Sequence, residues 1–488
     1  MLVKVFRIFL VLAFLFGCHF AFTTDLWRVH SRRNQSAIDR HMRKPARPAY
    51  CCVCASEDSE CSCGTFRNFI LGDNTPWQVT ASGFRTGTGI PGTITWSIVP
   101  DGTTVPGGGS ALPGPSNLNS FLNTTFTGGA TGEELIEQAF NRWDELSGLT
   151  AVRESNDDGR TINNFVSDGT IGVRGDIRIG GQALDGPSGT LAFNFLPDTG
   201  GDMVIDTSEA GFFGFSSNNN RAFRNVVMHE LGHAIGLNHV QSTSDALLLE
   251  PTINLAFDGP QLDEVRAIQF VFGDAFEETN DGLGNSTVST ATDLGSLSSG
   301  GLIEIGKDAD VPTQAISPTA IDFVSISGAG DVDVYAFTVT TSSNVDIVLT
   351  PLGGVFTQGS TLGSATSFDA NSRVDLALSV FDSDGESLLA SSDLLGLGGT
   401  ESISSIALEP GTYYAQITGV QDTIQLYSLE LTTALKGDVN LDGAVDFLDI
   451  APFIGILQTG SFQVEADVNC DTFVNFLDIS PFIIALQQ

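Results

Sequence analysis

The chain has 488 residues, 41% of them hydrophobic, a length and composition suited to about two to four globular domains. Its 22 Lys and Arg against 58 Asp and Glu give a formal net charge of −36. A body this acidic repels nucleic acid and anionic membranes, and it offers many hard oxygen ligands for calcium.

The charge is unevenly spread. Residues 1–50 carry nine Lys or Arg against Asp25 and Asp39, so the remainder holds 13 basic and 56 acidic residues. Lys4 and Arg7 followed by the apolar run Ile8–Phe22 have the n-region and h-region of a secretory signal, predicted over 1–22. The expected location is therefore secreted, extracellular or cell-surface. Leu15-Phe16-Gly17-Cys18 weakly matches a lipoprotein cleavage box, which Phe16 fits poorly, so lipid anchoring is the lesser alternative. The apolar run is short for a membrane span, and no later segment reads as one.

Residues 23–64 are basic and end in Cys51, Cys52, Cys54, Cys61 and Cys63. Two bridges, a metal cluster, a latency device or a removed spacer all fit this stretch. Between residues 64 and 469 there is no cysteine, so the main domains are not built on disulfides.

Residues 65–274 read as one α/β catalytic domain. Ile94–Ile98 reads as an early strand, and 101–131, rich in Gly, Pro and Ser, as a long surface insertion. Thr131 with Glu134 forms a capping-box pattern that opens a helix. Leu135, Ile136, Ala139, Phe140, Trp143 and Leu146 share its apolar face, and Gly148 is its stop. Asp176–Ile179 alternates as a strand.

Residues 229–239 read H-E-L-G-H-A-I-G-L-N-H. His229 and His233 stand four apart, on one face of a helix where both imidazoles can grip one ion. Gly236 stops the helix, and the reversal brings back His239 as a third ligand. Three nitrogens with an open fourth position is the pattern of a catalytic zinc site. Glu230 adjoins the first ligand, where it can take a proton from water activated by zinc. Of six histidines in the chain, three lie here, which argues against isolated core residues.

The extended H-E-x-x-H-x-x-G-x-x-H form resembles the metzincin signature, and the sequence is similar to a metzincin peptidase of the matrixin kind. The segments D-G-P-S-G-T-L-A-F-N-F (185–195) and G-G-D-M-V-I-D-T-S-E (200–209) resemble the matrixin calcium segment. The resemblance implies one calcium on the side chains of Asp185, Asp206 and Glu209, with backbone oxygens of Gly186, Ser188 and Thr190. It implies a second on Asp176 and Asp202, with carbonyls of Asp198 and Gly200. Oxygen-only sets of this kind suit calcium. It also implies a propeptide thiol as one possible latency device for 23–64.

Three departures matter. Phe193 and Val204 stand where matrixins have histidines of a structural zinc, so none is expected. Leu249, in A-L-L-L-E-P (246–251), stands where a metzincin has the methionine beneath its zinc; a leucine can fill that floor. Val240 follows the last ligand where matrixins usually have Ser. Leu191–Phe195 is expected as the sheet edge to which an extended substrate adds by main-chain hydrogen bonds. Leu262–Phe272, stopped by Gly273, reads as the closing helix.

Residues 275–435 turn to short alternating runs bounded by Gly, Ser, Asn and Asp, the mark of an all-β sandwich. These include 332–339, 345–350, 376–381, 413–417 and 426–431. Their order resembles the bacterial pre-peptidase C-terminal domain. Asp331 and Asp333 are possible ligands there, or solvated strand ends.

Residues 436–488 hold a repeat of 29 residues. Asp438, Asn440, Asp442 and Asp449 occupy positions 1, 3, 5 and 12 of an EF-hand-type loop, with the Ala444 carbonyl at 7. Asp467, Asn469, Asp471 and Asp478 repeat the set, with Phe473 at 7. Gly443 supplies the sharp turn at position 6; Thr472 replaces it in the second loop, which is expected to weaken that site. Each loop feeds a short helix through Ile450, Phe453 and Leu457, and Ile479, Phe482 and Leu486. This small α module resembles a type I dockerin, which implies a cohesin-type partner. Phe447-Leu448 and Phe476-Leu477 occupy the partner-selecting positions, or else pack the repeats together.

The expected function is a secreted zinc endopeptidase acting on protein or peptide substrates, with one catalytic zinc and several structural calcium ions. Two alternatives stand beside it: a degenerate cell-surface or scaffold-binding protein, and a component of a polysaccharide-degrading assembly.

Overall fold

The computed structural model describes residues 69, 71, 77–84, 87–108, 110–162, 169–244, 246–360 and 364–487. The signal-like segment and the cysteine cluster of 23–64 lie outside the described residues.

A five-stranded mixed sheet organises the first unit. Its strands are β1 (Gly92–Ile98), β2 (Leu149–Arg153), β3 (Ile177–Gln182), β4 (Ala192–Asn194) and β5 (Met203–Asp206). They lie in the order β2-β1-β3-β5-β4. The first four are parallel, and β4 runs antiparallel to β5 at the end of the sheet. Four helices pack with it: α1 (Leu118–Thr125), α2 (Gly132–Asp144), α3 (Arg221–Ala234) and α4 (Leu262–Phe272).

Local chemistry explains their starts and stops. The Thr131 hydroxyl accepts the Glu134 N–H at 3.2 Å while the Glu134 carboxylate accepts the Thr131 N–H at 2.7 Å, so two orphan donors at the start of α2 are satisfied reciprocally. Leu135, Ile136, Ala139, Phe140, Trp143 and Leu146 are buried, with Phe140 stacked on Trp96 at 4.5 Å between ring centroids. The 101–131 stretch is not all surface insertion. It contains α1, whose Leu118, Phe121 and Leu122 face the core. Helix spacing groups those three residues, and the Asp101 carboxylate accepts the N–H groups of Asn119 at 2.9 Å and Ser120 at 3.0 Å from a distance in sequence. Composition alone hides a helix this short.

The second unit is a sandwich of two five-stranded sheets. Its strands are β7 (Thr292–Leu297), β8 (Leu302–Ile305), β9 (Val324–Ile326), β10 (Val332–Val339), β11 (Ser343–Leu352), β14 (Leu376–Phe381), β15 (Leu388–Ser392), β16 (Glu401–Leu408), β17 (Gly411–Gly419) and β18 (Gln425–Thr433). One sheet runs β7-β10-β17-β14-β15; the other runs β8-β18-β11-β16, with β9 also on β18. Alternate residues such as Tyr335, Phe337 and Val339 point into the shared core.

A hairpin leaves this sandwich: β12 (Val355–Gly359) and β13 (Thr366–Asp369). It joins a two-residue strand of the first unit, β6 (Gln241–Ser242), in a three-stranded sheet ordered β6-β12-β13. The hydrophobic core of the first unit also continues into Ile316, Ala320, Phe323, Leu352 and Leu426 of the second. Periodicity changes near residue 274, but packing does not break there.

The C-terminal repeats form helices α5 (Ile450–Thr459) and α6 (Ile479–Ala485). Phe453 and Phe482 stack between them at 4.1 Å, and Val439 and Ala466 complete a small core. No described helix is long and apolar enough to cross a membrane.

Candidate metal centre

Helix α3 is buried from Val226 to its end. Two indoles hold it: Trp143 Nε1 donates to the Met228 carbonyl at 3.0 Å, and Trp77 Nε1 to the Ala234 carbonyl at 2.7 Å. The helix ends at Ala234, and Gly236 takes φ 108, a left-handed value that glycine adopts without a Cβ clash. The chain turns back and His239 returns towards the helix.

The three imidazoles converge. His229 Nε2 lies 3.0 Å from His233 Nε2 and 3.2 Å from His239 Nε2. Nδ1 of His229 lies 2.6 Å from the Leu248 carbonyl, and Nδ1 of His233 lies 2.6 Å from the Leu237 carbonyl. A carbonyl oxygen only accepts, so both Nδ1 atoms carry the proton and both Nε2 atoms are lone pairs. Such lone pairs facing one another cannot satisfy each other; a cation between them would. Burial pushes His233 down to about 4, against its hydrogen bond to Leu237. Burial, then the neighbouring His233, pushes His229 well below its ordinary value. Neutral imidazoles are what a metal requires. Glu230 is fully buried on the same helix, beside His229.

Leu249 forms the floor. It is buried, and a Cβ placed on Gly232, within the histidine motif, would come within 2.7 Å of its Cδ2. End strand β4 has its partner β5 on one side. Phe193 and Val204 join Val99, Val105, Ile162, Leu184 and Phe195 in a small apolar cluster.

Of the two acidic sets near β5, the first has charges close enough to act on one another, although its carboxylates do not all converge within 4.8 Å as the three histidines do. Asp206 is pushed up by burial and by the Asp185 charge; Glu209 is pushed up by burial and by Asp206 and Asp185. Asp206 Oδ2 is buried without a hydrogen-bond partner. Gly186 and Ser188 both take positive φ, curling the loop so that the Ser188 and Gly189 N–H groups reach Glu209. The Thr190 N–H and hydroxyl reach Asp185 at 3.0 Å. In the second set the Asp176 carboxylate is committed elsewhere. It accepts the Ala81 N–H at 2.7 Å, the Thr95 N–H at 2.9 Å and the Thr95 hydroxyl at 2.7 Å. Expected as a side-chain ligand, Asp176 instead ties residue 81 to strand β1, because buried N–H groups there need an acceptor. Asp202 accepts the Arg178 N–H at 2.8 Å, and Gly200 is left-handed at φ 105.

The C-terminal loops repeat in geometry as in sequence. Asp438 accepts the N–H groups of Asp442 and Gly443 at 3.0 and 2.9 Å; Asp467 accepts those of Asp471 and Thr472 at 3.1 and 3.0 Å. Asp449 accepts from Asn440 and Asp446 at 2.9 and 2.8 Å, and Asp478 from Asn469 and Asn475 at 3.1 and 2.8 Å. Asn440 and Asn469 each accept the N–H two residues on at 3.0 Å. Asp442 and Asp471 accept the N–H groups of Ala444 and Phe473, the residues at position 7. Phe447, Leu448, Phe476 and Leu477 are 81%, 65%, 82% and 68% exposed, so they do not pack the repeats together.

One further group escaped sequence reasoning in part. Glu277, Asp331 and Asp333 bring carboxylate oxygens within 4.8 Å of one another. Asp333 accepts the Tyr427 hydroxyl at 2.5 Å, while its other oxygen is buried without a partner. Burial and the charges of Asp331 and Asp274 push Glu277 up to about 8. The pattern D-V-D at 331–333 signalled two members. Glu277, more than fifty residues earlier in sequence, carried no signal.

Residues 120–273 match the family model of the matrixins, 331–419 that of the bacterial pre-peptidase C-terminal domain, and 436–486 that of the dockerin type I domain. Among curated relatives, interstitial collagenase of Equus caballus is 35% identical over 146 residues, 29% of this chain and 28% of that protein. Matrix metalloproteinase-20 of Homo sapiens is 32% identical over 147 residues, again 29% and 28%. The chain thus spans under a third of the length of these relatives. A solved pre-peptidase C-terminal domain of a Bacillus anthracis collagenase aligns with 29% of this chain and 96% of its own at 15% identity, with a TM-score of 0.18. The three family matches, in register with the sheet-and-helix unit, the sandwich and the paired loops, make this a multidomain chain of a matrixin domain, a pre-peptidase C-terminal domain and a type I dockerin domain.

Proposed function

We propose that the chain is a secreted zinc endopeptidase that cleaves extracellular proteins or peptides. One observation carries the reading: the Nε2 atoms of His233 and His239 lie 3.0 and 3.2 Å from that of His229, while the rings of His229 and His233 are locked by Nδ1 bonds to backbone carbonyls, beside a buried Glu230. A zinc ion held by His229, His233 and His239 would polarise the scissile carbonyl and acidify water to a pKa of about 7. Strand β4 aligns the substrate by main-chain pairing. Glu230 accepts the proton of the attacking water and returns it to the leaving amine.

Calcium supports this machinery at several places. Asp185, Asp206 and Glu209, with carbonyls of Gly186, Ser188 and Thr190, hold one ion beside β5. Asp202 with carbonyls of Asp198 and Gly200 holds a second; Asp176, tied to Ala81 and Thr95, does not join it by its side chain. Glu277, Asp331 and Asp333 hold another in the sandwich. The C-terminal loops hold two more, through Asp438, Asn440, Asp442, Ala444 and Asp449, and through Asp467, Asn469, Asp471, Phe473 and Asp478. The exposed Phe447-Leu448 and Phe476-Leu477 pairs suit a cohesin-type partner, since exposed apolar pairs rimmed by polar residues mark docking sites.

The test is cleavage of a mixed peptide library by the full chain, with zinc and calcium supplied, beside Glu230→Ala. Cleavage by the wild type and loss in the variant supports the peptidase reading. Absence of cleavage by a chain shown to hold zinc removes it.

A further inference from the structure

The segment between His239 and helix α4 both carries a histidine ligand and orients another. Val240 donates its N–H to the Leu249 carbonyl at 3.1 Å, and the neighbouring Leu248 carbonyl takes Nδ1 of His229 at 2.6 Å. The Ser242 N–H reaches buried Glu250 at 2.6 Å, and the Leu249 N–H reaches Glu264 of α4 at 3.0 Å. Residues 240–244 and 246–250 thus form a folded strap beside the histidines.

The sandwich pairs with this strap. Gln241 and Ser242 pair in antiparallel register with Gly359 and Gln358 of β12, and the Thr243 N–H donates to the Thr357 carbonyl at 3.2 Å. Gln358 is fully buried at this junction. Its Nε2 donates to Asp263 of α4 at 2.6 Å, and its Oε1 accepts from Gln314 Nε2 at 2.6 Å. Gln314 in turn accepts the Leu262 N–H, at the first turn of α4, at 2.9 Å. Arg266 of α4 bonds Asp263 at 3.1 Å and lies over the Phe368 ring of β13 at 4.9 Å. One hairpin of the sandwich therefore grips both the strap and the helix that closes it.

We propose that the sandwich is a working part of the metal centre: hairpin β12–β13 pairs by main chain with the strap that sets His239 and His229, and the positioning residue Gln358 fixes that pairing by anchoring the hairpin to α4 through Asp263. The inference rests on the reading of these histidines as zinc ligands. Partners that orient metal ligands from behind change affinity by about 10- to 100-fold when removed; here the partner of His229 is the Leu248 carbonyl, on a strap that the sandwich pairs with by main chain.

The test compares the full chain with Gln358→Ala and Arg142→Ala by zinc competition with a chromophoric chelator. Arg142 bonds the Ala320 carbonyl at 2.9 Å in the same seam between units but does not touch the strap, so it controls for loss of packing. Gln358→Ala should release zinc at least about tenfold more readily, and Arg142→Ala should stay within about twofold of the wild type. Equal loss in both variants, or no loss in Gln358→Ala, overturns the proposal. A wild type that holds no zinc instead removes the zinc reading. Amide hydrogen exchange on the wild-type chain decides independently of any variant's folding. The Thr243 amide should be protected as strongly as those of β11 and β18; a Thr243 amide that exchanges as an open loop while the sandwich stays protected overturns the proposal.

Discussion

His229, His233 and His239 are set by a helix, a glycine turn and two carbonyls inside a core of aromatic and aliphatic side chains. The loops at 438–449 and 467–478 hang on a core of four fully buried side chains, Val439, Phe453, Ala466 and Phe482. In the first region the fold holds the three imidazoles, and removing an ion would leave them neutral on an intact frame. In the second, Asp438, Asp449, Asp467 and Asp478 accept backbone N–H groups of their own loops, and an ion bound there would carry a larger share of the folding energy. A binding motif therefore has a different energetic meaning according to how much apolar surface surrounds it.

The contrast can be broken most sharply by chemistry. Glu230→Gln should lower kcat for peptide cleavage by about 10²- to 10⁴-fold with little change in thermal unfolding, because only a proton acceptor is lost. Removal of calcium should act the other way. Far-UV circular dichroism and hydrogen exchange of the full chain should show α5 and α6 melting while α3 stays protected. Equal loss of α3 would erase the distinction between the regions.

Substitution of the floor tests how firmly the core holds the centre. Leu249→Ala should cost about 2–5 kcal/mol by urea unfolding, from lost transfer energy plus a cavity against Gly232. Leu249→Met should stay within about 1.5 kcal/mol.

The core also stores a pH dependence. Burial, partly offset by the Leu249 N–H and reinforced by Asp263, raises Glu264 to about 8. A carboxyl raised in the folded state binds more protons there than when unfolded. Its contribution is thus present at pH 5 and lost as pH rises through about 8. Stability of the first unit should fall by roughly 1–3 kcal/mol between pH 5 and 8, and Glu264→Gln, which mimics the protonated form, should flatten the slope.

The smallest effect lies within the repeats. Gly443 takes φ 86 and Thr472, at the matching position, φ 69. A β-branched residue in that left-handed region carries about 1 kcal/mol of strain. Thr472→Gly should tighten calcium binding to the second loop about fivefold by calorimetry and leave the first unchanged.

Much of this was legible in the residues alone. The histidine spacing, Gly236, the capping box of Thr131 and Glu134, and the repeat of 29 residues are local signals, set by helix period, by left-handed turns or by ligand positions along one loop. They specified the three converging histidines, helix α2, helix α4 and both C-terminal loops. Tertiary structure alone decided the rest. It gave Asp176 to Ala81 and Thr95, buried helix α1 within a Gly- and Pro-rich stretch, and brought Glu277 to Asp331 and Asp333. It also paired Ser242 with Gln358 across the change of domain. Each of these joins residues far apart in sequence, through buried acceptors, shared core and strand edges, and no local periodicity records which distant donor or strand will arrive.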